Sequence, residues 1–101
     1  MKTLKEFIVE ETSFKGDKNE LISRFKEVDK LNYKNKDDMD KLNVLAMDAL
    51  DSYWNNENWD KKINDEFYNN YKEAFSLMLN NKNEEAKEKF IFVISSILKN
   101  E

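Results

Sequence analysis

The chain has no histidine, no cysteine and no proline, and its single glycine is Gly16. Each absence excludes a class of chemistry. Without His and Cys the commonest general base and the most readily activated nucleophiles are gone, together with disulfides and thiolate–metal sites. One glycine cannot build a phosphate-cradling loop. With glycine and proline so scarce, tight hairpins and kinks lack their usual residues, and the chain is expected to be mostly helical. The longest apolar run, Phe90-Ile-Phe-Val-Ile94, is far shorter than the roughly 20 residues that cross a bilayer. Met1-Lys2 is followed by no apolar signal core, so the expectation is a soluble, cytoplasmic protein without membrane contact.

What is present suffices for a packed core. The chain has 101 residues, 40% of them hydrophobic and 13% aromatic. That is the size of one domain, read as a single helical domain over residues 1–101. Although 38% of residues are charged, the signs nearly balance and apolar residues recur at regular spacing, which argues against disorder. The abundance of Lys, Asn, Asp, Glu and Ile fits translation of AT-rich DNA and points to a bacterial, phage or mobile-island gene.

Charge is unevenly placed. Residues 1–41 carry ten Lys/Arg against ten Asp/Glu, and residues 61–101 carry seven against seven. Between Lys41 and Lys61 there is no basic residue, while Asp48, Asp51, Glu57 and Asp60 are acidic, so the whole net charge of −4 falls there. Both tryptophans, Trp54 and Trp59, lie in that stretch.

Five helices are expected, in an all-α single-domain bundle of four to five helices. Thr3-Leu-Lys-Glu6 forms a capping box and opens a short helix carrying Leu4, Phe7 and Ile8, which should stop near Gly16. Asp17 caps a second, with Leu21, Ile22, Phe25, Val28 and Leu31 at helical spacing. Residues 35–38 offer caps for a third, running to about Trp54, with Met39, Leu42, Leu45, Ala46, Ala49, Leu50 and Tyr53 on one face. The Asn-rich residues 55–58 break the pattern and can cap a fourth helix over roughly 59–79, with Ile63, Phe67, Tyr71, Ala74 and Met78 stacked. Asn83 with Glu84 and Glu85 starts the last helix, which buries Ala86, Phe90, Val93, Ile94 and Ile97. Strand competes only at Phe90–Ile94; helical spacing on both sides favours helix.

Ala74 and Ala86, with Phe90 one turn further on, carry the small-residue and aromatic spacing that resembles a tetratricopeptide hairpin. The resemblance covers about thirty residues, implies two closely approaching antiparallel helices, and lacks the repeat's turn glycine, its closing proline and a second copy.

Carboxylates are the only remaining chemistry. Asp37, Asp38 and Asp40 read as acids at a helix N-terminus, since the sharp-turn glycine and final Glu of a calcium loop are absent. A di-iron bundle needs Glu-x-x-His pairs, which this sequence cannot supply. No cofactor, no metal and no catalysis are expected. Lysines of the N-terminal third are cancelled by acids, so no nucleic-acid footprint arises.

Met47 and Trp54 lie one heptad apart on the side of the third helix away from its core face, with Asp51 between them. Either other helices cover this second face, or it is an exposed acidic-aromatic strip. On the second reading Met47, Asp48, Asp51, Trp54, Glu57, Trp59 and Asp60 bind a basic protein partner: charge steers, and rings supply contact energy. In size, composition and charge the chain resembles bacterial toxin-immunity proteins, although no motif carries that likeness. The resemblance implies a cytoplasmic inhibitor that covers the active or substrate-binding surface of a cognate toxin, such as a basic nuclease. Rival readings are a phage or plasmid inhibitor of a host defence enzyme, and a tetratricopeptide-like or homodimeric helical module. A monomer or weak homodimer is expected.

Overall fold

A computed structural model describes residues 18–100, with the side chain of Asn100 left aside. Among the described residues there are four α-helices and no strand: α1 (Lys18–Lys26), α2 (Lys36–Trp54), α3 (Lys61–Leu79) and α4 (Asn83–Asn100). A 3-10 turn over Val28–Lys30 follows α1. The all-α bundle expected from the sequence is the observed architecture. The capping box at Thr3 and the helix it opens lie outside the described residues.

The helix boundaries follow from local chemistry. Asn35 caps α2, its side-chain oxygen accepting from the N–H groups of Asp37 at 2.9 Å and Asp38 at 3.2 Å. Asp37 and Asp38 also place negative charge at that helix's positive end. Asp38 reaches back, its carboxylate accepting the Asn32 N–H at 2.8 Å, so the acidic cluster also fixes the turn entering α2.

Two expectations are corrected here. The second helix does not run unbroken to Leu31; it ends at Lys26 and tightens into the 3-10 turn, which still buries Val28. The Asn-rich segment does not cap α3. Asn55 instead closes α2, its amide donating to the Asp51 carbonyl at 3.1 Å, and Asp60 caps α3 by accepting from the Ile63 N–H at 3.1 Å.

α3 and α4 form an antiparallel hairpin with the most extensive pairing in the fold, and α2 packs across both. Ala74 and Ala86 are fully buried, as the small-residue spacing implied, and Tyr71 meets Phe90 at 6.0 Å. The connecting turn is a Schellman motif: the Lys82 N–H donates to Leu77 O at 2.9 Å and the Asn81 N–H to Met78 O at 3.1 Å. Asn81 supplies the left-handed residue with φ of 63°, the conformation a repeat glycine would otherwise take. Phe90, Val93 and Ile94 are buried within α4, which settles the strand-or-helix ambiguity in favour of helix.

Most of the predicted core is buried, while Ile22, Phe25, Leu31, Ile63 and Met78 are only partly covered. Met39, Leu42, Leu45, Ala46, Ala49, Leu50 and Tyr53 of α2 are all buried, against Phe67, Tyr71 and Ala74 of α3 and Ala86, Phe90, Val93, Ile94 and Ile97 of α4. Tyr53 and Phe67 pack edge to face at 5.2 Å. α1 closes the second side of α2 with Leu21, and Lys87 ties the 3-10 turn to α4 by donating to Leu31 O at 2.8 Å.

Candidate functional site

The structure divides the acidic-aromatic stretch in two. Asp48 and Asp51, expected as exposed steering charges on one reading, lie inside: Asp48 is 8% exposed and Asp51 1%. The reason is α1. Arg24, the only arginine in the chain, donates to Asp48 at 2.7 Å and holds that carboxylate beneath the α1–α2 junction. Neither aspartate therefore presents its charge to a partner in this conformation. Met47 is half-buried and packs against the core. For these three positions, the covered second face of α2 is the better description.

The other four residues converge at one end of the bundle, where α2 turns into α3. Trp54 ends α2 and Trp59 precedes the α3 cap, and their indoles meet edge to face with centroids 4.6 Å apart and planes at 75°. Both are half-buried, and Trp59 also rests on the core. Glu57, at the tip of the loop between them, and Asp60, at its end, are exposed. Glu57 makes no ion pair among the described residues.

This loop is held by its own hydrogen bonds. The side-chain oxygen of Asn56 accepts the Asn58 N–H at 2.8 Å, and the Asn56 carbonyl accepts the Trp59 N–H at 3.1 Å. From below, the buried Tyr53 hydroxyl accepts the Asp60 N–H at 3.2 Å. Turns rich in Asn commonly use such side-chain acceptors. Trp54 thus stands on the last turn of α2 and Trp59 on the loop that these bonds brace.

Sequence reasoning did not anticipate Arg24 or the Tyr53 hydroxyl as parts of this region. The solitary arginine was the available signal for the first. For the second, a Tyr on an otherwise aliphatic and alanine core face implied that its hydroxyl must find a partner.

Elsewhere, an apolar groove of about 430 Å³ runs between α1 and α2, floored by Val28, Leu31, Val44 and Leu45. On α3, Tyr71 donates to Asn43 of α2 at 2.7 Å, and burial beside Tyr68 pushes its phenol up to about 12. Burial also raises the Tyr68 phenol. Among the described residues no three acidic side chains group as a metal site, and no helix is long and apolar enough to cross a membrane.

Fold and site together define an all-α helical bundle carrying an aromatic loop with an acidic tip at one end. No protein-family model matches the chain, and no curated protein or solved structure is significantly similar to it.

Proposed function

We propose that the chain is a non-catalytic protein-binding module of the toxin-immunity kind, acting in a bacterial cytoplasm by covering the active or substrate-binding surface of a cognate basic toxin. The observation that carries this reading is the Trp54–Trp59 pair beside the exposed carboxylates of Glu57 and Asp60. Half-exposed tryptophans on a braced loop are the residue type that dominates binding energy at protein interfaces, and a preorganised loop loses little entropy on docking. An interface of about 800 Å² per partner centred on that loop is sufficient for tight association. Glu57 and Asp60 supply the steering charge; Asp48 and Asp51 act in the scaffold.

The test is co-expression with the product of the gene adjacent to this one. Suppression of that product's toxicity by the native chain, and loss of suppression in Trp54→Ala with the fold retained, supports the reading. Toxicity unaffected by the native chain contradicts it.

A homodimeric module is the second reading, favoured by Leu79 and Phe92, which are 65% and 56% exposed on the α3–α4 hairpin. Sedimentation equilibrium decides it: a dimer that Phe92→Ser dissociates supports self-association, and a monomer at all concentrations removes it.

A further inference from the structure

We propose that the apolar groove between α1 and α2 is the seat of the chain's own N-terminal segment, residues 3–14, folded back as an amphipathic helix. The groove, of about 430 Å³, is floored by Val28 and Leu31 from the turn after α1 and by Val44 and Leu45 of α2. Val44 is 45% exposed, so an apolar side chain faces solvent from the middle of a helix. Covering that surface is favourable because apolar area leaves water.

Direction, pattern and length all point to this occupant. α1 and α2 run antiparallel: Arg24 meets Asp48 at 2.7 Å, and the turn between them closes where the Asn32 N–H donates to Asp38 at 2.8 Å. Lys18 lies as far before Arg24 as Trp54 lies beyond Asp48, so the chain preceding α1 arrives level with the last turn of α2. Residues 1–17 lie outside the described residues, and their sequence supplies the pattern. Thr3 and Glu6 form a capping box, and Leu4, Phe7 and Ile8 share one helical face. Gly16 can take the left-handed conformation that ends a helix, which lets the segment reverse before α1. Leu4 to Phe14 spans about 15 Å of helix, and Lys18 to Val28 about the same. A helix that reverses at Gly16 and runs antiparallel to α1 therefore brings Leu4 level with Val28, with Phe7 and Ile8 a turn above. Its three apolar residues fall where the groove lies. Attachment to α1 also holds the segment at an effective concentration on the order of millimolar, which favours it over a second copy or a separate partner.

The test is a set of nuclear Overhauser contacts in the full, unsubstituted chain. The expected result is contact from Leu4, Phe7 or Ile8 to the methyl groups of Val28, Leu31 and Val44. A mixture of carbon-13-labelled and unlabelled chains should show that these contacts lie within one molecule. In urea, Phe7→Ser should raise the unfolding constant roughly tenfold or more. Phe7→Ser with Val44→Ser should raise it by less than the product of the two single effects, since both changes open one contact. The proposal is overturned if no such contacts appear, if they run to Leu79 or Phe92 instead, or if they form only between chains. An unfolding constant untouched by Phe7→Ser, or effects that simply multiply, overturns it as well. The measurement involves this chain alone, so its outcome leaves the partner reading to the co-expression test.

Discussion

The hydroxyl of Tyr53 accepts a hydrogen bond from the backbone N–H of Asp60 at 3.2 Å, joining the last turn of α2 to the cap of α3. The ring of the same residue is 1% exposed and packs on Phe67. One side chain thus belongs both to the core and to the bracing of the α2–α3 loop. Tyr53→Phe keeps the ring contact and removes the bond, for an expected loss of about 1 kcal/mol. For a domain of this size that lowers the melting temperature by roughly 4–8 °C. Hydrogen exchange at the Asp60 amide should accelerate more than exchange in mid-α3. An unchanged Asp60 amide would show that the hydroxyl does not brace the loop.

Arg24 and Asp48 are expected to act as a scaffold pair. The Asp48 side chain is 11% exposed and that of Arg24 33%, so removing the arginine strands a mostly buried carboxylate. Arg24→Ala should cost about 1–3 kcal/mol, less than a fully buried pair because water reaches the guanidinium. Arg24→Ala with Asp48→Ala should cost less than the two single changes added together. Urea titration of the four proteins gives the coupling. Additive losses would mean that the pair contributes nothing, and Asp48 would be open again to a role at the surface.

Much of this fold is legible in the sequence because it rests on short-range rules. The Asn35 cap, the single apolar face of α2 and the Ala74–Ala86 hairpin each follow from neighbours within a turn or two of helix. What escapes is long-range. Arg24 and Asp48 meet across 24 positions, and Tyr71 and Asn43 across 28, and no local pattern encodes either contact. The same limit applies at the candidate site. The aromatics and the exposed Glu57 and Asp60 stand where a helix-ending pattern puts them, but the periodicity of α2 cannot say that α1 covers Asp48. Local rules also failed where two caps competed: residues 55–58 offered asparagines, and the anionic Asp60 just beyond them took the helix end.

The α3–α4 turn gives a second stability test. Asn81 holds φ at 63°, a conformation that glycine enters without a Cβ clash. Asn81→Gly should be neutral to stabilising by several tenths of a kcal/mol, and Asn81→Val should destabilise by about 1–2 kcal/mol. Thermal denaturation of both variants checks the sign. A stabilising valine would mean that the turn does not depend on the left-handed residue.

Tyr71 makes stability depend on alkaline pH. Its phenol ionises near 12 in the folded chain, against about 10 when unfolded. Below pH 10 both states are protonated and the full contribution is present. As pH rises from 10 to 12 the unfolded state loses its proton first, so stability falls, by on the order of 1–2 kcal/mol in all. Tyr71→Phe should be less stable near neutral pH, because Asn43 loses its donor, and should show a shallower decline above pH 10. Parallel declines in the two proteins would remove Tyr71 as the cause.

The central claim is that the α2–α3 loop is the surface that grips a protein partner. The most direct measurement is the dissociation rate of the complex with the proposed protein partner, for the native chain, Trp54→Ala and Phe92→Ala. If Trp54 is an anchor, its removal costs about 2 kcal/mol or more and speeds dissociation roughly thirtyfold. Phe92→Ala, on the exposed face of α4, should leave the rate unchanged, and both variants should still melt cooperatively. Dissociation unaffected by Trp54→Ala but accelerated by Phe92→Ala would contradict the account and move the interface to the α3–α4 hairpin.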